Sequence, residues 1–276
     1  MPKKYGVIPL LCTLFLLVGS SAQKMSNASP PKGQLVIVGG GDEVESVHRK
    51  ALELAGGSSA RVLVVPHASE DLLSGYWMVD TWTELGAQQV DVLDLTDPRA
   101  ARELIKKADL IWLKGGEQER LMAALKEAGL VDAIRDRFTD GATIGGTSAG
   151  AAAMSRLMIA GPPRTPEEIT YMRPRMATGL GLWPEVVVDQ HFLVRNRLHR
   201  LMNVVTENPG LVGIGIDERT AVVVRGQQFE VIGESRVVVV DSRNARKHHG
   251  IPTVAMLEPG TVYHLERGIL DRGDSR

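Results

Sequence analysis

A chain of 276 residues with a formal charge of -1 and 43% hydrophobic residues has room for one or two ordinary domains, since single cores become hard to extend beyond roughly 250–300 residues. The near-zero charge argues against a nucleic-acid or other polyanion partner, which needs a basic excess to neutralise phosphates. At the N-terminus, Lys3 and Lys4 precede an apolar run from Val7 to Val18 and then Gly19-Ser20-Ser21-Ala22, the layout of a secretory signal cleaved after Ala22. That run is too short to span a bilayer, which takes roughly 20 apolar residues. Cys12, the one cysteine, lies inside the run, so a processed chain has no disulfide, no cysteine nucleophile and no zinc–cysteine site. The expected organisation is a signal peptide at 1–22, a disordered linker at 23–33 and a single α/β catalytic domain at 34–276. The product is expected to be secreted or periplasmic and free of the membrane after cleavage.

From Gln34 onward, apolar runs alternate with amphipathic segments. Leu35-Val36-Ile37-Val38 ends in Gly39-Gly40-Gly41-Asp42, and Arg61-Val62-Leu63-Val64-Val65 ends in Pro66-His67-Ala68-Ser69. Val90-Asp91-Val92-Leu93 and Leu110-Ile111-Trp112-Leu113 follow, each with a helix-like segment behind it. Such runs predict strands buried on both faces, and the intervening helices make them parallel. The fold class expected is α/β, a doubly wound, mostly parallel sheet flanked by helices. Short β-like pieces at Val212–Ile216, Ala221–Val224, Phe229–Ile232, Val237–Val240 and Thr261–Leu265 predict extra antiparallel strands in the C-terminal third.

Ligands of doubly wound sheets bind beyond the carboxyl ends of the strands. Gly39-Gly40-Gly41-Asp42 emerges there, but it has neither dinucleotide nor P-loop spacing and reads as a tight βα turn with Asp42 capping the helix. Lys114-Gly115-Gly116-Glu117-Gln118 also follows a strand, and its glycines let backbone N–H groups approach a substrate carbonyl. Gly146-Thr147-Ser148-Ala149-Gly150 lies between an apolar run and Ala151-Ala152-Ala153-Met154, the pattern of a strand-to-helix turn that presents a serine hydroxyl. The flanking glycines remove side chains that would collide where strand and helix meet. The Ala149 N–H, at a helix N-terminus, is aimed where a tetrahedral oxyanion forms. The alternative for these five residues is a small-residue turn that serves packing alone.

A serine nucleophile needs a base, ordinarily histidine. Of the seven histidines, His48 and His199 lie in charged helical surroundings, His248 and His249 in a basic loop, and His264 near the C-terminus. His67 follows a strand and competes. His191 is the strongest candidate, at the end of Val186-Val187-Val188-Asp189-Gln190-His191; if that strand neighbours the Ser148 strand, both side chains emerge at one edge. Arg195, Arg197 and Arg200 follow on a helix-like segment. They either clamp carboxylates, or join Asp189, Gln190 and Glu218 in a mixed-charge pocket, or form a solvated basic helix face.

Together, Gly146-Thr147-Ser148-Ala149-Gly150, Gly115-Gly116-Glu117-Gln118, Asp189-Gln190-His191-Phe192 with its three arginines, and Gly215-Ile216-Asp217-Glu218 resemble the cyanophycinases, serine peptidases of family S51. The resemblance runs from about Leu35 to Asp241. It implies a class I glutamine-amidotransferase-like fold with serine in place of the usual cysteine, and no cofactor or metal. It implies as substrate cyanophycin, a poly-aspartate backbone with arginine joined to each side-chain carboxylate, cut to β-aspartyl-arginine dipeptides. Carried over, it makes Ser148 the nucleophile, His191 the base, and Gly116 and Ala149 the oxyanion donors. Gln118, Asp189, Gln190, Arg195, Arg197 and Arg200 become substrate-pocket residues. For the third member of the triad it offers Glu218 first, with Glu167 or Glu168 as the alternative. Glu117 departs from the aspartate expected there. The sequence leaves open whether the chain forms a homodimer. The competing readings are a dipeptidase E-like aspartyl dipeptidase, an α/β-hydrolase esterase using His264, and a non-catalytic peptide-binding protein.

Overall fold

The computed structural model describes residues 31–42, 44–161, 165, 173–245 and 251–271. The signal-like segment, most of the expected linker, and Glu167 and Glu168 lie outside the described residues. A nine-stranded sheet forms the centre. Its parallel half orders the strands β1 (Gln34–Val38), β5 (Thr143–Thr147), β4 (Leu110–Leu113), β2 (Arg61–Val65) and β3 (Gln89–Val92). Beyond β1 the sheet continues antiparallel through β10 (Thr220–Arg225), β11 (Gln228–Gly233), β14 (Val262–His264) and β15 (Gly268–Asp271).

The double winding is visible in the side chains. Leu35, Ile37, Leu63, Val65, Ile111 and Leu113 point to one face and join α3 (Pro98–Lys107), α4 (Gln118–Glu127) and α5 (Val131–Asp140). Their alternates, Val36, Val38, Val62, Val64, Leu110 and Trp112, point to the other and join α1 (Glu45–Leu54) and α2 (Ser74–Glu84). Because side chains alternate with period 2, a strand apolar at every position requires a core on each face. β5 has no room for a side chain at its centre. Trp112 lies over Gly145, where a Cβ would come within 2.3 Å of the indole.

The C-terminal apolar runs do not all add to one side of this sheet. A second, four-stranded sheet contains β8 (Val186–Asp189), β9 (Val212–Ile216), β12 (Val237–Asp241) and β13 (Thr253–Leu257), while β6 (Leu157–Gly161) and β7 (Arg175–Thr178) form a hairpin. The strand leading to His191 is therefore not a neighbour of the Ser148 strand. The two still share a core, since α6 (Ala149–Ala153) packs against β4, β5 and β8.

Candidate active site

Three segments converge on the loop after β1. The carbonyls of Val38, Gly39 and Gly40, consecutive in sequence, accept hydrogen bonds from the backbone N–H groups of Ser148 (3.1 Å), His191 (2.7 Å) and Arg219 (2.9 Å). The loop read as a simple βα turn is thus the common fastening of three chain segments from two sheets. Asp42 does not cap α1: Val44 is the N-cap residue, and the Asp42 carboxylate lies 3.7 Å from the Arg219 guanidinium.

Ser148 is the residue between β5 and α6, with φ 52° and ψ -108°. An L side chain rarely adopts that conformation, and a strained backbone at a strand-to-helix turn lifts the hydroxyl clear of the sheet. The glycines on either side permit it. A Cβ at Gly150 would sit 2.2 Å from the Leu113 carbonyl, and one at Gly146 2.9 Å from the same oxygen. The Ala149 N–H begins α6 and has no preceding helical turn to accept it. The Gly116 N–H donates to no described group; Gly116, with φ 141°, presses on the Ala68 carbonyl so closely that a Cβ would be 2.2 Å from it. A Cβ added to its neighbour Gly115 would lie 3.4 Å from the Ser148 Cβ.

His191, itself at φ 47°, places Nε2 2.9 Å from Ser148 Oγ and Nδ1 2.6 Å from Glu218 Oε1. With the carboxylate accepting from Nδ1–H, the Nε2 lone pair faces the hydroxyl. Burial lowers the His191 pKa, the Glu218 hydrogen bond opposes this, and the cations of Arg195 and then Arg197 lower it further. The imidazole is thereby kept neutral, the form a general base requires. The arrangement has the geometry of a serine–histidine–carboxylate relay, with two backbone donors that no described group claims, and that is the constellation acyl transfer requires.

The remaining expected residues divide into groups. Asp189 is buried and holds Arg200 in a two-point contact, one of whose bonds, from Nε to Oδ2, is 2.7 Å; burial pushes its carboxyl pKa up against the pull of that guanidinium. Arg197 donates to the carbonyl and side-chain oxygen of Gln190 and lies 3.6 Å from Asp189, and burial lowers its pKa to about 10. Gln118 gives its amide N–H groups to the Ile159 and Ala160 carbonyls at 2.7 and 2.9 Å. Arg195 is exposed and makes no ion pair with a described residue. The segment carrying these arginines is a turn over 191–196, followed by α7 (Leu198–Glu207). Glu117 is the N-cap residue of α4 and pairs with Arg120 at 3.3 Å.

Sequence reasoning passed over Asp217. Its Oδ1 accepts from the Leu193 and Val194 N–H groups at 2.9 and 3.0 Å, and its Oδ2 from Ser235 Oγ at 2.7 Å, so it fastens the turn that carries His191. Of the competing histidines, His67 is buried with Nδ1 unpartnered. His48, assigned to charged helical surroundings, is buried between Trp82 and Trp112, with ring centroids 5.0 and 4.8 Å away. Among the described residues, no group of three His, Cys, Asp or Glu is arranged to hold a metal.

Gly40 provides a direct check on the geometry. A Cβ there would lie 2.4 Å from His191 Cε1, on a backbone at φ 100°. Gly40→Ala is expected to displace the imidazole and lower kcat by about a hundredfold, the cost of a misplacement near 1 Å. Steady-state kinetics beside a thermal melt would check this; full activity in a folded variant would refute the placement.

The model of peptidase family S51 matches residues 35–232. A cyanophycinase of Geminocystis herdmanii is 37% identical over 257 residues, covering 88% of this chain and 93% of its own. One from a Nostoc species is 37% identical over 264 residues, 91% of this chain and 87% of its own. In three dimensions the chain is similar to a peptidase from an acI-B1 Actinobacterium, with TM-score 0.64 at 23% identity over 84% of this chain and 96% of that one. Ser148, His191 and Glu218 all fall within the matched span, and the chain belongs to peptidase family S51.

Proposed function

We propose that this protein is a serine-type hydrolase of cyanophycin that releases β-aspartyl-arginine dipeptides. The observation that carries the reading is the Ser148–His191–Glu218 relay, in a chain 37% identical to cyanophycinases over about nine-tenths of its length. In the proposed reaction Ser148 Oγ attacks a backbone aspartyl carbonyl while His191 Nε2 takes its proton. The oxyanion is held by the N–H groups of Gly116 and Ala149, and His191 returns the proton to the departing amine. Water, deprotonated by the same imidazole, then releases the acyl group and restores the serine.

Each repeat of the polymer presents a guanidinium and a free carboxylate. Arg195 is the cation of the cluster not committed to a described acid, and it suits the carboxylate. Arg197 and Arg200 act through Gln190 and Asp189, holding the segment that ends in His191. Gln118 Oε1 and Gln190 Nε2 have no partner among the described residues, and these atoms remain for hydrogen bonds to substrate. Incubation with insoluble cyanophycin and, in parallel, with α-aspartyl dipeptides tests the reading: dipeptide release from the polymer is expected, and cleavage of the α-aspartyl dipeptides alone would replace it with a dipeptidase. We further propose export, on the strength of Lys3-Lys4, the apolar run and the small residues before Gln23; a mature N-terminus other than Gln23 would count against it.

The pH profile follows from the charges. Neutral His191 is the active form, so the acid limb of kcat/KM is expected below the ordinary histidine value of about 6.5. Because Arg195 lowers the His191 pKa, Arg195→Ala is expected to move that limb to higher pH while also raising KM. A limb unmoved by the substitution would show that Arg195 does not act on the imidazole.

A further inference from the structure

The first turn of α2 shows water an unusual surface. The helix buries Ser74, Gly75, Met78 and Trp82, while Leu73, Tyr76 and Trp77 are 68%, 60% and 68% exposed, with exposed Leu72 beside them. Single exposed apolar residues are ordinary, but positions 72, 73, 76 and 77 are neighbours on one helical face and make a contiguous patch. The patch is firmly held. Ser74 Oγ donates to the Asp71 carbonyl at 2.6 Å, and Asp71 Oδ1 accepts from the Leu73 N–H at 2.9 Å. Lys114 Nζ donates to the Ser74 carbonyl at 2.7 Å. Lys114 directly precedes Gly115, where an added Cβ would lie 3.4 Å from the Ser148 Cβ. The patch is thus fastened to the strand end that borders the nucleophile.

Carboxylates outnumber cations around the patch, although Lys114 Nζ reaches the Ser74 carbonyl and Arg120 pairs with Glu70 at 2.7 Å. From Val62 to Pro98 the chain has seven carboxylates and no lysine or arginine. Asp71 and Asp80 are exposed around the patch, and Asp80 lies one turn beyond Tyr76 and Trp77. Exposed aromatic rings edged by carboxylates suit a guanidinium, which stacks on the ring face and pairs with the acid at its edge.

We propose that Leu72, Leu73, Tyr76, Trp77 and Asp80 form a docking surface, outside the cleft, for guanidinium groups of an arginine-bearing polymer. This rests on the function proposed above, because that substrate repeats the same cation along its length. One segment then occupies the cleft while another engages α2, and the tether raises the local concentration of the scissile end. The surface acts on long chains and is indifferent to a fragment that fills the cleft alone.

The test pairs Tyr76→Ala/Trp77→Ala with, separately, Asp80→Lys. In a Ser148→Ala background, which leaves the polymer intact, co-sedimentation with insoluble cyanophycin is expected to weaken by about tenfold for the double variant, and Asp80→Lys is expected to weaken it too. With Ser148 present, kcat/KM on the polymer is expected to fall while kcat/KM on a two-repeat fragment holds, which also certifies the fold. If the wild type cuts the polymer and both variants bind and cut it equally well, the docking surface is refuted and the function stands. If the wild type does not cut the polymer, the function fails, and calorimetric titration with an arginine hexapeptide still decides the surface. Heat lost in the double variant supports it; unchanged heat overturns it. A wild-type dimer that the double variant converts to a monomer would make the patch a subunit interface and overturn the proposal.

Discussion

Replacing Ser148 by alanine is expected to lower kcat on the polymer by about a millionfold, the scale on which a relay loses activity without its nucleophile. The fold is expected to survive. The Ser148 side chain makes no capping bond to α6, and the bond from its backbone N–H to the Val38 carbonyl is independent of the side chain. A small residual rate is expected to remain, because the Gly116 and Ala149 N–H groups still stabilise an oxyanion formed by attack of water. The same variant is expected to resist labelling by a serine-directed phosphonate that modifies the parent. The competing view of the Gly-Thr-Ser-Ala-Gly turn, a packing device without chemistry, predicts the reverse: intact kinetics, or loss of activity only through unfolding. Kinetics, labelling and a thermal melt together separate the two.

The strands of the central sheet were readable because both of their faces are buried. Leu35 and Ile37 face one core and Val36 and Val38 the other, so no polar alternation masks the run. The assignment of strands to sheets was not readable. Val186–Asp189 and Val212–Ile216 look, as sequence, like further strands of the central sheet, yet they build a second one, since periodicity records how a strand is buried and not which neighbour it pairs with. The β6–β7 hairpin was missed, its two strands being separated by a long connection. Within the site, Ser148 and His191 stood out by their local context. The function of Gly39-Gly40-Gly41 did not, because its meaning lies in which distant N–H groups its carbonyls receive. Asp217 and Glu218 are adjacent acids, and only their tertiary surroundings assign one to a turn and the other to an imidazole. His48 was misread from the charges beside it. Val44, Val47, His48 and Ala51, at helical spacing, mark a buried stripe that would have placed it correctly.

The charged residues around His191 follow the same division. Asp189, taken from sequence for a pocket acid, is buried with Arg200 and Arg197 gathered on it. Removing the shared acid of such a cluster leaves both guanidinium groups without their carboxylate, a loss of the kind that costs about 3–5 kcal/mol in a buried pair. Its two guanidinium groups therefore stiffen the segment that ends in the base, and they do so from outside the reacting atoms.

Glu218→Gln is expected to lower kcat by about ten-thousandfold, with little change in stability. The carboxylate accepts from His191 Nδ1–H at 2.6 Å, which both selects the tautomer whose Nε2 can take the Ser148 proton and stabilises the imidazolium that follows. An amide does neither reliably. Its NH2 group can donate to Nδ1, turning an Nε2–H toward the serine, and its neutral oxygen offers a developing cation far less. The pH dependence provides an independent mark. Glu218 raises the His191 pKa, so its loss is expected to move the residual acid limb to lower pH, opposite in sign to the shift expected for Arg195→Ala. Glu167→Gln and Glu168→Gln serve as controls, since resemblance alone offered those residues for the same role. If either of them costs more activity than Glu218→Gln, or if Glu218→Gln costs less than about tenfold, the carboxylate that orients His191 is not Glu218, and the hydrogen bond between them is structural.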